Sequence, residues 1–150
     1  MRKVLFVDMD NVLVDFPSGI ARLPAETRVA FADRFDDAPG IFSLMDPLPG
    51  AIEAFDELAT LFDAYVLSTA PWNNPSAWSD KAIWIQKYLG QSAYKRLILS
   101  HHKNLNHGHF LVDDRTKNGA DRFVGEHILF GSPEFPDWLT VRGYLRDRAT

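Results

Sequence analysis

The chain has 150 residues, 46% of them hydrophobic and 24% charged, and a formal net charge of -4, which fits one globular domain with a single apolar core. The absence of cysteine excludes a disulfide framework, a thiolate metal site and a cysteine nucleophile. No basic block invites a nucleic-acid polymer and no apolar stretch is long enough for a membrane, so the expected partner is a small molecule and the expected compartment the cytoplasm.

In chain order, strands and helices alternate. Val4 to Val7 is an apolar run read as a buried strand. Arg2 and Lys3 before it imitate the start of a signal peptide, but Asp8 and Asp10 interrupt the run at once. Ser18 to Phe35 is a helical stretch with Pro24 as a candidate break. Asp36 to Pro49 reads as loop, and Pro49-Gly50 as a chain reversal. Ile52, Phe55, Leu58, Ala59 and Phe62 then recur at helical spacing over Ala51 to Phe62. Tyr65 to Leu67 is a second short strand, ending in Ser68-Thr69. Pro75 to Leu89 is a helix stopped by Gly90, where a left-handed cap is usual. Leu97 to Leu99, Phe110 to Val112 and His127 to Phe130 are three further strands. Pro136 to Arg146 is a closing helix, with proline at its start and basic residues near its end.

Asp8, Thr69 and Asp113 each fall just past the C-terminal end of an expected buried strand. Ligands of an open parallel α/β sheet bind at that edge. Asp8 and Asp10, one residue apart, offer oxygen ligands to a divalent cation such as magnesium. Asp8 suits a nucleophile towards phosphorus, and Asp10 is close enough to protonate the leaving oxygen and then activate water. Ser68-Thr69-Ala70-Pro71 offers a hydroxyl and backbone N–H groups to phosphate oxygens. Lys103 would balance charge on both the carboxylate and the phosphoryl group. Asp113-Asp114 would complete the metal site. Each feature has a plainer reading: a solvated acidic turn, an ordinary loop, a surface lysine, an acidic helix start. Their order, each after a strand, favours the chemical one. His101, His102, His107 and His109 do not have the spacing of a helical zinc motif.

These residues resemble the four motifs of the haloacid-dehalogenase superfamily. The stretches Asp8-Met9-Asp10-Asn11-Val12-Leu13-Val14-Asp15-Phe16, Pro47-Leu48-Pro49-Gly50-Ala51, Thr69-Ala70-Pro71, Lys81 to Gly90 and Leu111-Val112-Asp113-Asp114-Arg115 narrow the likeness to the 5′(3′)-deoxyribonucleotidase family. The resemblance runs roughly from Lys3 to Phe130. It implies an α/β fold: a Rossmann-like parallel sheet with a small helical cap inserted after the first strand, at about 16–49 of a single domain spanning residues 1–150. It implies hydrolysis of nucleoside monophosphates with Mg2+. By position, Asp8 is the nucleophile and Asp10 the acid/base. Thr69, Ala70 and Lys103 hold the phosphate. Asp8, Asp10 (by its backbone carbonyl), Asp113 and Asp114 serve the metal, with Asp114 the expected direct ligand of the last two. Phe16 and Phe42 match aromatic positions of the nucleobase pocket.

Trp72 and Trp78 stay open between that pocket and core packing, and Lys81 between a phosphate contact and an ordinary helix lysine. Phe31, Phe35, Phe55 and Phe62 read as core or cap packing. Asn11 stands where the family usually has glycine, and Ala70 where many relatives have serine. A phosphatase of another small metabolite and a non-catalytic binding module remain alternatives, and a homodimer is left open. Base, sugar and 5′ or 3′ preference are not legible.

Overall fold

The computed structural model describes all 150 residues. Five strands form one parallel sheet: β1 (Val4–Val7), β4 (Asp63–Ser68), β5 (Leu97–Leu99), β6 (Phe110–Asp113) and β7 (Glu126–Leu129), in the order β5-β4-β1-β6-β7. Central β1 is apolar on both faces because it is covered on both. Leu5 and Val7 are fully buried on one side and Phe6 nearly so on the other, as a central parallel strand requires. Its register with β4 and β6 puts Val7 beside Val66 and Val112, so the residues that follow all three strands emerge along one edge.

The two faces are covered unequally. Leu5, Val7, Val66, Val112 and Ile128 belong to a core of 32 buried residues shared with α3 (Ala51–Leu61), α4 (Pro75–Tyr88) and α5 (Trp138–Arg146). The opposite face buries only Phe6, Leu67, Leu111, Ala120 and Phe123, with Val4, Tyr65 and Ile98 partly buried against them. Crossover handedness accounts for this. The β1–β4 and β4–β5 connections run in one direction across the sheet and place α3 and α4 on the same side. The return from β5 to β6 crosses the other side, and there the chain spends only short 3₁₀ turns, Lys103–Leu105 and Ala120–Arg122.

Between β1 and α3 lies the longest connection. The expected helix over 18–35 is two pieces, α1 (Phe16–Arg22) and α2 (Ala25–Ala30), with Pro24 capping the second. Two 3₁₀ turns follow, Phe35–Asp37 and Ile41–Ser43. A two-stranded antiparallel ladder, β2 (Val14–Asp15) with β3 (Asp46–Pro47), joins the two ends of this excursion. It is tied to α4 by the Trp84 Nε1 hydrogen bond to the Met45 carbonyl (2.9 Å) and by Asn74 Nδ2 to the carbonyls of Asp36 and Ala38 (3.0 Å each). Gly90 ends α4 in left-handed backbone, φ 55°, as its position in the sequence suggests. The closing helix starts two residues later than expected, at Trp138, because Asp137 caps it by accepting from the Thr140 N–H at 2.9 Å.

Candidate active site

The turn after β1 is built to hold carboxylates still. Asp8 N–H donates to the Val112 carbonyl at 2.9 Å, and the N–H groups of Val12, Leu13 and Val14 all converge on the Met9 carbonyl (3.1, 2.9 and 3.0 Å). Asn11 takes the left-handed conformation, φ 59°, which asparagine tolerates and which glycine would adopt more freely. Val12, Leu13 and Val14 are fully buried. Trp138 Nε1 closes the turn from α5 by donating to the Val12 carbonyl at 2.6 Å.

Asp8, Lys103 and Asp113 meet in the interior. The Lys103 ammonium lies 3.1 Å from Asp8 Oδ1 and 2.6 Å from Asp113 Oδ2, and all three side chains are almost inaccessible. Burial pulls the lysine down, but the two carboxylates outweigh it and hold it above its ordinary value. Burial raises the Asp8 carboxyl, with Lys103 opposing and Asp113 assisting. Lys103 is carried by a 3₁₀ turn whose N–H bonds the Asn118 carbonyl at 2.7 Å. The neighbouring loop thereby sets where its ammonium reaches.

The two acids after β6 are used differently. Asp113 spends Oδ2 on Lys103 and accepts the Arg115 N–H on Oδ1 at 3.0 Å. Asp114 Oδ1 is buried without a partner. Burial first, then the charges of Asp8 and Asp113, push its carboxyl up to about 7. Ligand oxygens of Asp8, Asp113 and Asp114 lie within 4.8 Å of one another. With Asp10, four carboxylates face two buried ammonium groups, Lys81 and Lys103. An all-oxygen donor set, an orphaned buried oxygen and surplus negative charge fit a hard divalent cation. The histidines form no comparable cluster.

Asp10 is held from an unexpected quarter. Lys81 Nζ, fully buried on α4, donates to Asp10 Oδ1 at 3.0 Å and to Ser68 Oγ at 2.7 Å. Burial raises the Asp10 carboxyl against the pull of Lys81. The sequence carried a signal for this: Ala77, Lys81, Trp84 and Ile85 share the buried face of α4 at helical spacing. A lysine on such a face needs an internal partner. Thr69 Oγ1 donates to the Ser100 carbonyl at 2.7 Å. Ala70 is buried, and the N–H groups of Thr69 and Ala70 donate to no protein acceptor.

A cavity of about 320 Å³ opens beside Asp10 and Asn11, walled by Phe16, Phe35, Arg34 and Arg115. Phe16 lines it. Phe42 lies behind, buried and edge-on to Phe16 at 5.9 Å between ring centres. Trp72 and Trp78 are not core residues: Trp72 is 78% exposed, and both rings flank His101 outside this cavity. Arg34 in the wall has no local pattern in the sequence, and Arg115 is legible there only as the last residue of the motif after β6, with no role attached. A larger cavity, about 640 Å³ between α4 and β5, holds none of the expected site residues.

The match to known proteins agrees with this arrangement. Residues 26–136 match the family model of cytosolic type C 5′ nucleotidases, described as deoxy (pyrimidine). A Vibrio phage KVP40 protein named as a 5′(3′)-deoxyribonucleotidase is 58% identical over 144 residues, covering 96% of this chain and 85% of the relative. The chain belongs to the 5′(3′)-deoxyribonucleotidase family. A Bordetella bronchiseptica protein with the same name is 33% identical over 156 residues, covering 87% of this chain and 84% of its own length. The human cytosolic 5′(3′)-deoxyribonucleotidase is 31% identical over 157 residues, covering 84% of this chain and 78% of that protein. Membership places this deoxyribonucleotidase relative in the haloacid-dehalogenase superfamily, as a phosphoric monoester hydrolase of the 5′-nucleotidase type. No helix is long and apolar enough to cross a membrane.

Proposed function

We propose that the enzyme hydrolyses deoxyribonucleoside monophosphates with Mg2+ through a covalent aspartyl phosphate on Asp8. The observation that carries this reading is the buried Asp8–Lys103–Asp113 cluster with the orphaned Asp114 oxygen beside it. Asp8, Asp114 and the Asp10 carbonyl would hold the cation, with Asp113 shaping the site through Lys103. When bound, the cation neutralises phosphate charge and orients the phosphoryl group.

Asp8 attacks phosphorus as the P–O ester bond breaks, and Asp10 gives a proton to the departing sugar oxygen. Asp10 then takes a proton from water, whose oxygen attacks the same phosphorus. The bond to Asp8 breaks and inorganic phosphate leaves. Lys103 keeps Asp8 ionised and offsets charge developing on the transferred group. The free N–H groups of Thr69 and Ala70 donate to phosphate oxygens, and the Thr69 hydroxyl joins them by turning its proton away from the Ser100 carbonyl.

The nucleoside occupies the cavity at Phe16, whose ring accepts any base by stacking. Phe42 supports that ring from behind, and Trp72, exposed on the loop after β4, is a further aromatic surface offered to the base. We take residues 16–49 as the cap of a single domain; the β2–β3 ladder at the two ends of this excursion supports that boundary. We assign the enzyme to the cytoplasm, in keeping with the human relative named as the cytosolic type.

The test is phosphate release from deoxyribonucleotides, ribonucleotides and sugar phosphates, with Mg2+ and with chelator, for the wild type and Asp8→Asn. Magnesium-dependent release favouring deoxynucleotides and lost in Asp8→Asn is expected. Full activity of Asp8→Asn would sink the covalent mechanism, and a preference for sugar phosphates would overturn the nucleotide reading alone.

A further inference from the structure

Lys81 is the only charged residue of the chain with no solvent exposure at all. It lies on α4, 71 residues away in sequence from the carboxylate it meets. Methionine or leucine would fill the same place beside Ala77, Trp84 and Ile85 without taking a charge out of water, and a buried ion pair is weak ground for stability by itself. The position therefore asks for an explanation beyond packing.

The surroundings of the ammonium supply one. It donates to Asp10 Oδ1 and Ser68 Oγ, and its third side faces the Phe42 ring, 4.4 Å from the ring centre. Three separate parts of the chain, the turn after β1, the end of β4 and the excursion between β2 and β3, thus converge on one nitrogen. A lysine side chain left free has four rotatable bonds; here every direction is taken. Asp10 Oδ1 is consequently fixed, while its Oδ2 has no protein partner and the residue lines the substrate cavity. Phe42, which backs the ammonium, also packs edge-on against Phe16 in the wall of the same cavity. The carboxylate is anchored by one oxygen and available by the other.

We propose that Lys81 is a positioning residue that holds the Asp10 carboxylate at the angle needed for proton transfer to the leaving group. The proposal rests on the reading of Asp10 as the acid/base. It assigns Lys81 no contact with substrate. Its effect is on how well Asp10 is aimed, so it should appear in the chemical step and depend on how much the leaving group needs a proton.

The experiment compares Lys81→Met, Asp10→Asn and wild type on two substrates. A deoxyribonucleoside 5′-monophosphate releases a basic alkoxide and needs protonation; p-nitrophenyl phosphate releases a weakly basic phenolate and does not. Lys81→Met should lower kcat on the nucleotide by about 10- to 100-fold, less than the ~10²–10⁴-fold attributable to the acid/base group itself. KM should move by less than about threefold. The rapid burst of p-nitrophenolate, which reports transfer of the phosphoryl group to Asp8, should keep its wild-type rate in both variants.

Equal slowing of the phosphoryl-transfer step for both substrates in Lys81→Met, read from the first turnover, or a rise in KM with kcat unchanged, would overturn the positioning role. If Asp10→Asn itself showed no leaving-group dependence, the acid/base reading would fail, and the proposal with it. If Asp10→Asn showed the dependence and Lys81→Met did not, only the proposal would fail. Should Lys81→Met not fold, Ser68→Ala decides. It removes one anchor of the ammonium and should lower nucleotide kcat by roughly two- to fivefold with the burst intact; an unchanged kcat would overturn the proposal.

Discussion

Replacing Lys103 by methionine keeps an unbranched side chain, one heavy atom shorter, and removes the ammonium group. The ammonium it deletes sits 3.1 Å from Asp8 and 2.6 Å from Asp113, with every partner at most 5% exposed. Water cannot take its place. Breaking a buried pair from one side costs about 3–5 kcal/mol, a fifth or more of the ~5–15 kcal/mol that holds a domain folded. The cost should depend on pH with a definite sign. Asp8 and Asp114 already have folded carboxyls raised above 3.8, Asp114 to about 7. Lys103 is a force holding Asp8 down, so its loss raises Asp8 further.

Between the unfolded and folded values the folded state binds more protons, so stability falls as pH rises through that window and returns on acidification. Lys103 itself stays charged throughout, because its own value is raised and its contribution fades only in alkali. Urea unfolding in chelator at about pH 5.5 and about pH 8 would measure both effects. Lys103→Met should be less stable than wild type at both, with the larger gap at the higher pH. Mg2+ at about a hundred times its Kd should then return about 2.7 kcal/mol to any form that binds it. A loss below about 1 kcal/mol, equal at the two pH values, would mean that the carboxylates are not charged and confined as the distances require, and the electrostatic account of the site would be refuted.

Three more perturbations reach the site from further away. Trp138→Phe keeps the ring packed on Phe130 but leaves the Val12 carbonyl without its donor; a loss of about 1–3 kcal/mol is expected, with lowered kcat because Val12 belongs to the Asp8–Asp10 turn, and a change below ~0.5 kcal/mol would show that the bond is dispensable. Gly119 has φ +82°, and a Cβ there would meet the Asn104 backbone nitrogen at 3.0 Å, so Gly119→Ala should push the turn that carries Lys103 and reduce kcat; wild-type activity would show that the turn gives way freely. Glu57 joins α3 to α5 through Arg146 and Arg142, whose hydrogen bonds hold its carboxyl below the ordinary value. Its contribution is present above the unfolded value and lost as pH falls through the folded one, so the Tm gap between wild type and Glu57→Gln should close in acid; a gap constant with pH would exclude the charge as its cause.

What the sequence made legible, and what it did not, divides along a physical line. Asp8 and Asp10 come just after β1, Asp113 ends β6 and Asp114 follows it, so the strands themselves fix where these carboxylates emerge, and a local pattern is enough to place them at one edge. Gly90 and Pro24 act on their own backbone and were equally readable. Lys81 was left undecided because its meaning depends on a carboxylate 71 positions away, although the apolar face shared with Ala77 and Trp84 marked it as buried. The β2–β3 ladder is only two residues per strand and pairs Asp15 with Asp46, too short for any period to register. Trp72 and Trp84 look alike as letters. One is 78% exposed and the other 3%, because Trp84 has helical neighbours that bury one face and Trp72 stands on a loop that follows β4. Charge, unlike apolar surface, has to be matched by a particular partner. The buried charges of this protein therefore carry more information about its chemistry than its core does, and most of that information lies in pairings that no short stretch of sequence contains.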